Sequence, residues 1–251
     1  MSLTVSFPLA LFAIVGLTLL GLPIGVAMIT GSIVYLAASG QDMAIAAEQV
    51  LNGLNGSYIL LAVPLFIFSA ALMNAGTMTD RLLRFCNMMV GRMRGGLGHV
   101  NVVQSVIFAG MSGSAIADAA GSGKILIDMM TRSGGYPASY AAAITAATAV
   151  IGPIIPPSIP MVLFALVSDS SVGYLFLGGA VPGLLMGLAQ MGINAWMAHR
   201  HSFPVAERVP LRDLPRLTFE ALPALLMPVI LLGGIYGGVM TPTEAAAVAA
   251  A

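Results

Sequence analysis

Charge is what this sequence has least of. Among 251 residues there are 10 Lys and Arg and 10 Asp and Glu, 8% in all, against 58% hydrophobic residues. A soluble domain carries about a quarter charged residues. So few charges cannot cover a globular surface in water, and lipid is the surface that needs none. The charges cancel and form no basic run, which argues against a nucleic-acid partner. The single cysteine, Cys86, excludes an internal disulfide and a cysteine-rich metal site. His99 stands alone, and His199 and His201 flank an arginine in a polar stretch, so neither a structural metal nor a cofactor is expected. The N-terminus is apolar from Val5 but lacks a basic leader and a small-residue cleavage site, which reads as a retained helix rather than a signal peptide.

What the sequence has in abundance is apolar runs, and a spanning helix needs about 20 such residues. Residues 5–20 and 24–38 read as two helices broken at Gly21-Leu22-Pro23, because Gly and Pro together disfavour one continuous rod. Further spans are expected at 58–75, at 139–167 with a break in its middle, at 174–198 and at 219–239. Arginines occupy three polar stretches: 81–94, Arg132 and 200–216. The alternate connections 40–55, 168–173 and 240–244 hold no Lys or Arg. By the positive-inside rule the arginine stretches are cytoplasmic, which leaves the N-terminus periplasmic if the break at Pro23 separates two full crossings. Residues 77–94 alternate apolar side chains with arginines, as an interfacial helix would, with Thr77 or Thr79 as its N-cap. Residues 200–217 carry Pro204, Pro210 and Pro215 and read as a loop with little helix.

Two places break the membrane pattern. Residues 99–111 and 119–131 are apolar but reach only about 20 Å each as helices. Between them lies the polar, flexible turn Ser112-Gly113-Ser114-Ala115-Ile116-Ala117-Asp118, with cytoplasmic charge on both flanks. A re-entrant hairpin fits, and irregular backbone at that depth is tolerated only inside protein or beside a watery cavity. The second break is Gly152-Pro153-Ile154-Ile155-Pro156-Pro157-Ser158-Ile159-Pro160. Four prolines there remove four backbone donors and force two half-helices. Half-helix N-termini attract carboxylates, and freed carbonyls coordinate small cations. Asp118 is either a cation-binding or coupling group, as intramembrane acids are by default, or an N-cap for the returning arm, a role Ser114 also fits. Lys124 and Asp128 stand at pairing distance along a helix. The small-residue run 138–149 lets the broken helix lie close against the hairpin.

Two apparent motifs fail. Gly121-Ser-Gly-Lys124 resembles a phosphate-binding loop, but Asp118 occupies its first glycine and Ile125 its Ser/Thr position. Gly110-Met-Ser-Gly113 has the form used by intramembrane serine proteases, which require a histidine at matching depth. None is expected there, so an enzyme is the less favoured alternative, alongside a channel or a non-transporting membrane scaffold.

The runs Phe108-Ala-Gly-Met-Ser-Gly-Ser-Ala-Ile-Ala-Asp-Ala-Ala120 and Ile151-Gly-Pro-Ile-Ile-Pro-Pro-Ser-Ile-Pro-Met161 resemble the large membrane subunit of TRAP (tripartite ATP-independent periplasmic) transporters, the DctM-like family. Arg94-Gly-Gly-Leu-Gly-His-Val-Asn101, Ser133-Gly-Gly-Tyr-Pro137 and Phe176-Leu-Gly-Gly-Ala-Val-Pro-Gly183 match as well. The resemblance implies an all-α, polytopic, inverted-repeat elevator-type transporter in a bacterial inner membrane. It implies sodium-driven uptake of carboxylates such as C4-dicarboxylates or sialic acids. Its partners would be membrane lipid, a small four-helix membrane subunit and a periplasmic solute-binding protein. Carried over by position, Ser112, Gly113, Ser114, Asp118, Thr148, Gly152, Pro153, Pro156 and Ser158 would form one half-site for sodium and substrate. The implied organisation is scaffold helices at 1–76, a cytoplasmic interfacial helix at 77–98, the hairpin at 99–131 and the broken helix at 136–167. Two further scaffold helices would lie within 174–239, joined by the cytoplasmic loop 199–218, and the start of a second repeat at 240–251. The family's large subunit is longer than this chain, so a fragment or a truncated reading frame is expected.

Overall fold

The computed structural model describes residues 3–55, 58–132, 135–205 and 213–250, and all regular structure among them is helical. The chain divides into two compact units, Met1–Tyr58 and Ile59–Ala251.

The first unit holds α1 (Leu3–Leu19), α2 (Ile24–Ser39) and α3 (Ala44–Asn55). The break between α1 and α2 falls where Gly and Pro place it: Gly21 takes φ +94° and Pro23 is the N-cap of α2. The two helices pack closely at Gly31, where an added Cβ would lie 2.3 Å from Ile14 Cγ1. Helix α3 corrects an expectation, since 40–55 reads as a plain connection in the sequence. Gly40 ends α2 in the left-handed conformation, and Asp42 Oδ1 then accepts the Ala44 N–H at 2.9 Å. The segment is too polar to register as a span, yet amphipathic enough to be a helix.

A single 3₁₀ turn, Tyr58–Leu61, straddles the boundary, and the second unit continues through α4 (Ala62–Ala75), α5 (Met78–Val90), α6 (Gly96–Ser112), α7 (Ala115–Ala120) and α8 (Ser122–Arg132). Then come α9 (Ala138–Ala149), α10 (Ile159–Ser168), α11 (Val172–Arg200), α12 (Leu214–Tyr236) and α13 (Pro242–Ala250). Among the described residues, α11 with 29 residues and α12 with 23 are long and apolar enough to cross a membrane, while α1, α2 and α10 are shorter apolar helices. Helix α12 begins earlier than the sequence suggests: residues 214–218 are helical, with Pro215 in the first turn, where its missing N–H costs nothing. Residues 206–212 of the arginine-bearing loop, including Arg208 and Arg212, and Ser133-Gly134 of the matched run lie outside the described residues.

Helix α5 is amphipathic as expected, but its apolar face is covered by protein. Leu82, Leu83 and Cys86 join Val100, Phe108 and Met111 of α6, Leu126 of α8 and Ala224 of α12 in one core. Burial pushes the Cys86 thiol up to about 12, so it is an inert packing group. Thr77 stands at the N-cap but makes no side-chain capping bond. A second core joins Phe66 of α4, Val162 and Ala165 of α10, Phe176 of α11, Leu231 of α12 and Ala245, Ala246 and Ala249 of α13.

Candidate functional site: the hairpin tip against the broken helix

Helix α6 ends where Gly113 takes φ +58°, and Gly113 donates its N–H back to Ala109 O at 3.3 Å. The chain reverses at Gly113-Ser114, a tighter turn than the seven residues the sequence suggests. Ser114 caps α7 by accepting the Ala117 N–H at 3.3 Å. Gly121 interrupts the returning arm, so α7 and α8 are separate helices.

The proline segment also does what its composition requires. Helix α9 stops at Ala149, residues 150–157 are turns, and α10 starts at Ile159. Ser158 caps α10 by accepting the Met161 N–H at 3.3 Å, and donates its own O–H to Pro153 O at 2.5 Å. Two helix N-termini, each capped by a serine, therefore begin at this pair of breaks.

The two breaks touch. The Ile159 N–H donates to Gly113 O at 3.3 Å. A Cβ on Gly113 would fall 2.4 Å from Pro157 O, and one on Gly152 would meet Ser114 C at 3.1 Å and Ala115 N at 3.2 Å. Only glycine lets these backbones approach so closely. Behind the junction, Ala109, Ile151 and Ile155 form a small apolar core. Glycines of α11 seal it: an added Cβ at Gly179 would meet Ile154 O at 2.4 Å, and at Gly183 would meet Ile155 Cγ1 at 2.3 Å. The spacing Gly179, Gly183, Gly187 is a small-residue stripe that the sequence displays openly.

The polar groups at the junction are hydroxyls, backbone groups and one carboxylate. Ser112 Oγ is fully buried and has no hydrogen-bond partner among the described residues. Asp118 corrects its expected place: it lies within α7, not in an open turn, and does not cap it. Its side chain, 3% exposed, accepts the Ser122 O–H at Oδ1 (2.7 Å), while Ser105 sits nearby and Oδ2 has no hydrogen-bond partner among the described residues. Capping belongs to Ser114. Asp128 pairs with Arg132 at 3.7 Å instead of with Lys124; both lie one turn away, and the pair formed has the acid N-terminal to the base, the order a helix favours. Thr148, one turn before the break, donates to Asn101 Oδ1 at 2.9 Å. Of the expected set, Gly113, Ser114, Gly152, Pro153, Pro156 and Ser158 lie at or beside the junction, with Ser112 immediately before it. Asp118 faces into the hairpin, and Thr148 is tied to the entering arm.

Sequence reasoning missed the buried amides. Asn101 and Gln104 on α6 and Asn194 on α11 are each 1% exposed or less. Asn194 accepts the Tyr140 O–H at 2.7 Å, donates to Gly95 O at 3.2 Å, and occupies the place where a Gly98 Cβ would sit. Their signal was available, since an amide in an apolar helix needs a partner inside the protein.

The histidines settle the protease alternative. His99 and Ser112 stand at opposite ends of α6, about 20 Å apart at the helical rise. His199 and His201 lie at the end of α11 that packs on Gly95, at the foot of α6, as the Ala198 contact shows. No histidine reaches the serine. Among the described residues no three His, Cys, Asp or Glu side chains cluster to hold a metal.

A membrane protein with a capped hairpin tip set against a proline-broken helix has the parts of a transporter. Residues 11–251 match the family model described as the tripartite ATP-independent periplasmic transporter, DctM component. The chain belongs to that family, whose members are transporter components rather than enzymes, and it is a multi-pass inner-membrane protein. It is 40% identical over 240 residues to the sialic acid TRAP transporter large permease protein of Vibrio cholerae, covering 95% of this chain and 56% of that one. It is 40% identical over 238 residues to the C4-dicarboxylate TRAP transporter large permease protein of the same organism (94% and 52%). It is 39% identical over 232 residues to the 2,3-diketo-L-gulonate TRAP transporter large permease protein of Escherichia coli (92% and 54%). The chain spans about half the length of these relatives.

Proposed function

We propose that this chain supplies one half of the ion-and-substrate site of a sodium-coupled transporter for small organic carboxylates. The observation that carries this reading is the junction itself: Ile159 N–H on Gly113 O, with the capped N-terminus of α10 and the unpartnered Ser112 hydroxyl beside it. A helix N-terminus favours a carboxylate. Hydroxyl and carbonyl oxygens are hard donors that suit a small cation, and irregular midplane backbone of this kind is where transporters bind both. The three relatives are named for organic acids, which agrees with that chemistry. In this reading the sodium ligands come from Ser112, Asp118, Ser158 and the carbonyls of the break. A small four-helix membrane subunit braces the permease, a periplasmic binding protein delivers the substrate, and the hairpin and broken helix move together as an elevator-like unit. The close packing of α11 on the break through Gly179 and Gly183 supports assigning α11 to that unit, in place of the scaffold role its sequence position suggests.

Uptake measured across a sodium titration, in a complete permease carrying this segment, tests the site. Ser112→Ala and Asp118→Asn should each raise the sodium concentration for half-maximal uptake severalfold, since removing one ligand from a desolvated ion leaves it poorly compensated. Unchanged sodium dependence in both variants rejects the half-site. Orientation is a separate part of the proposal: the arginine-bearing stretches face the cytoplasm and the N-terminus the periplasm. A cysteine at exposed Asp169 should react with an impermeant maleimide from the periplasmic side, and one at exposed Arg81 should not. The reverse pattern inverts the topology.

A further inference from the structure

The strongest unassigned feature is a polar pin buried between three arms of the second unit. Asn101 on α6 is fully buried and satisfied on both sides: its Nδ2 donates to Thr145 Oγ1 at 2.7 Å, and its Oδ1 accepts from Thr148 Oγ1 at 2.9 Å. Thr145 in turn donates to Ala141 O at 2.8 Å, which fixes the direction of its hydroxyl, while the Thr148 hydroxyl shares its hydrogen between Asn101 Oδ1 and Thr145 O at 3.0 Å. The methyl of Thr145 presses on the third arm, where an added Cβ on Gly123 of α8 would lie 2.7 Å from Thr145 Cγ2. One threonine therefore touches both arms of the hairpin from the broken helix. A hydrogen-bonded pair fixes axial position in a way that apolar packing does not, because a slide of one residue breaks both bonds at once and leaves both ends of the buried Asn101 amide unmatched.

We propose that Asn101 and Thr145 are positioning residues that set the depth of the hairpin against the broken helix. They hold Gly113 opposite Ile159, and hence hold the junction assembled. Asn101 is three helical turns from Ser112, and Thr145 is about one turn from the end of α9 at Ala149, so a fixed register at the pin carries to the tip. This rests on the junction being the working half-site only for its bearing on transport. The test reads the junction directly and needs neither sodium nor substrate, so exchange that changes as expected while transport does not counts against the transport reading, and unchanged exchange counts against the pin.

The reporter is the Ile159 amide, whose bond to Gly113 O exists only when tip and break are in register. Amide hydrogen exchange is followed on the full chain in lipid nanodiscs. Thr145→Val keeps the shape and the methyl on Gly123 but removes the hydroxyl, and should lower the protection of Ile159 on the order of tenfold. Thr145→Ser keeps the hydroxyl and removes the methyl, and should leave Ile159 within about twofold of the parent. Thr148→Val, which removes the other bond to Asn101, serves as a second variant should Thr145→Val fail to fold. Leu126→Ala, a fully buried truncation in α8 of the same hairpin, is the control for general loosening. It should lower the melting temperature while leaving Ile159 more protected than in Thr145→Val. Equal exchange in the Val and Ser variants, or the same loss at Ile159 in Leu126→Ala, overturns the proposal.

Discussion

Prolines have opposite outcomes in two parts of the second unit. Helix α12 holds Pro215, Pro223 and Pro228 and is still continuous over 23 residues, whereas Pro153, Pro156, Pro157 and Pro160 end one helix and begin another. Spacing explains the difference. In α12 the interior prolines are five residues apart, so intact bonds close the ladder around each gap. Between 153 and 160 four donors are missing within about two turns, and the residues ahead of each proline are pushed out of helical geometry as well. The surroundings differ too. Helix α12 shows Phe219 and Val229 to the outside, 76% and 64% exposed, and only the carbonyls of Phe219 and Ala224 lose their ladder donors to its interior prolines. The break is enclosed: Ile151 and Ser158 are fully buried, and Gly113, Gly179 and Gly183 admit its backbone. Irregular backbone survives where neighbours are shaped to receive it.

The largest effect should come from filling the space those neighbours leave. Gly113→Ala places a Cβ 2.4 Å from a backbone oxygen of the break, on a residue held at φ +58°. Left-handed strain alone costs about 1 kcal/mol or more, and the clash adds to it. The expected result is a melting temperature lowered by several degrees and loss of uptake in the complete permease. Gly233→Ala in α12 meets nothing within 4 Å and should melt at or above the parent temperature. If the two substitutions behave alike, the junction is not closely packed and the contrast between the regions fails.

Much of this was legible in the sequence, and the reasons are local. The proline cluster dictated the break between α9 and α10 within a residue or two, because missing donors act through covalent structure alone. The short apolar arms and Gly113 dictated the hairpin, since 13 residues cannot cross a bilayer, although the first arm, α6, starts at Gly96, three residues before the expected one, and runs 17 residues. Family membership was legible from the same two runs. The fate of particular side chains was not. Asp118 sits in a helix because Ser114 caps that helix and lets it start four residues earlier than the polar run suggests. Thr148 stands next to the break in sequence, yet its hydroxyl is taken by Asn101, 47 residues away. The small-residue face of α9 was read correctly as a packing surface, but not the hydrogen bonds embedded in it. Such partners are set by which helices meet, and no periodicity within one helix reports that. Helix α3 was missed for a different reason: a search for spans passes over an amphipathic segment of 12 residues.

A smaller effect separates the two regions at the level of single hydroxyls. Ser158 performs two tasks at the break, accepting the Met161 N–H and donating to Pro153 O, and it is fully buried. Thr218 in α12 makes one bond, from its hydroxyl to Leu214 O at 2.8 Å, on an exposed turn. Ser158→Ala removes a cap, which typically costs about 1 kcal/mol, and also leaves a proline carbonyl without its donor, so a loss of about 1–2 kcal/mol is expected. Thr218→Ala removes a bond that competes with the helix's own ladder, and the better helix former takes its place, so the change should stay within about 0.5 kcal/mol. Guanidinium or thermal unfolding of each variant in the same detergent measures both. The Ser158 variant should also lose protection at the Met161 amide in hydrogen exchange, while amides of α12 are unaffected. A Ser158→Ala protein as stable as Thr218→Ala, with Met161 still protected, would mean that the first turn of α10 is held by its surroundings and not by its cap. The junction would then owe its shape to the glycine contacts alone.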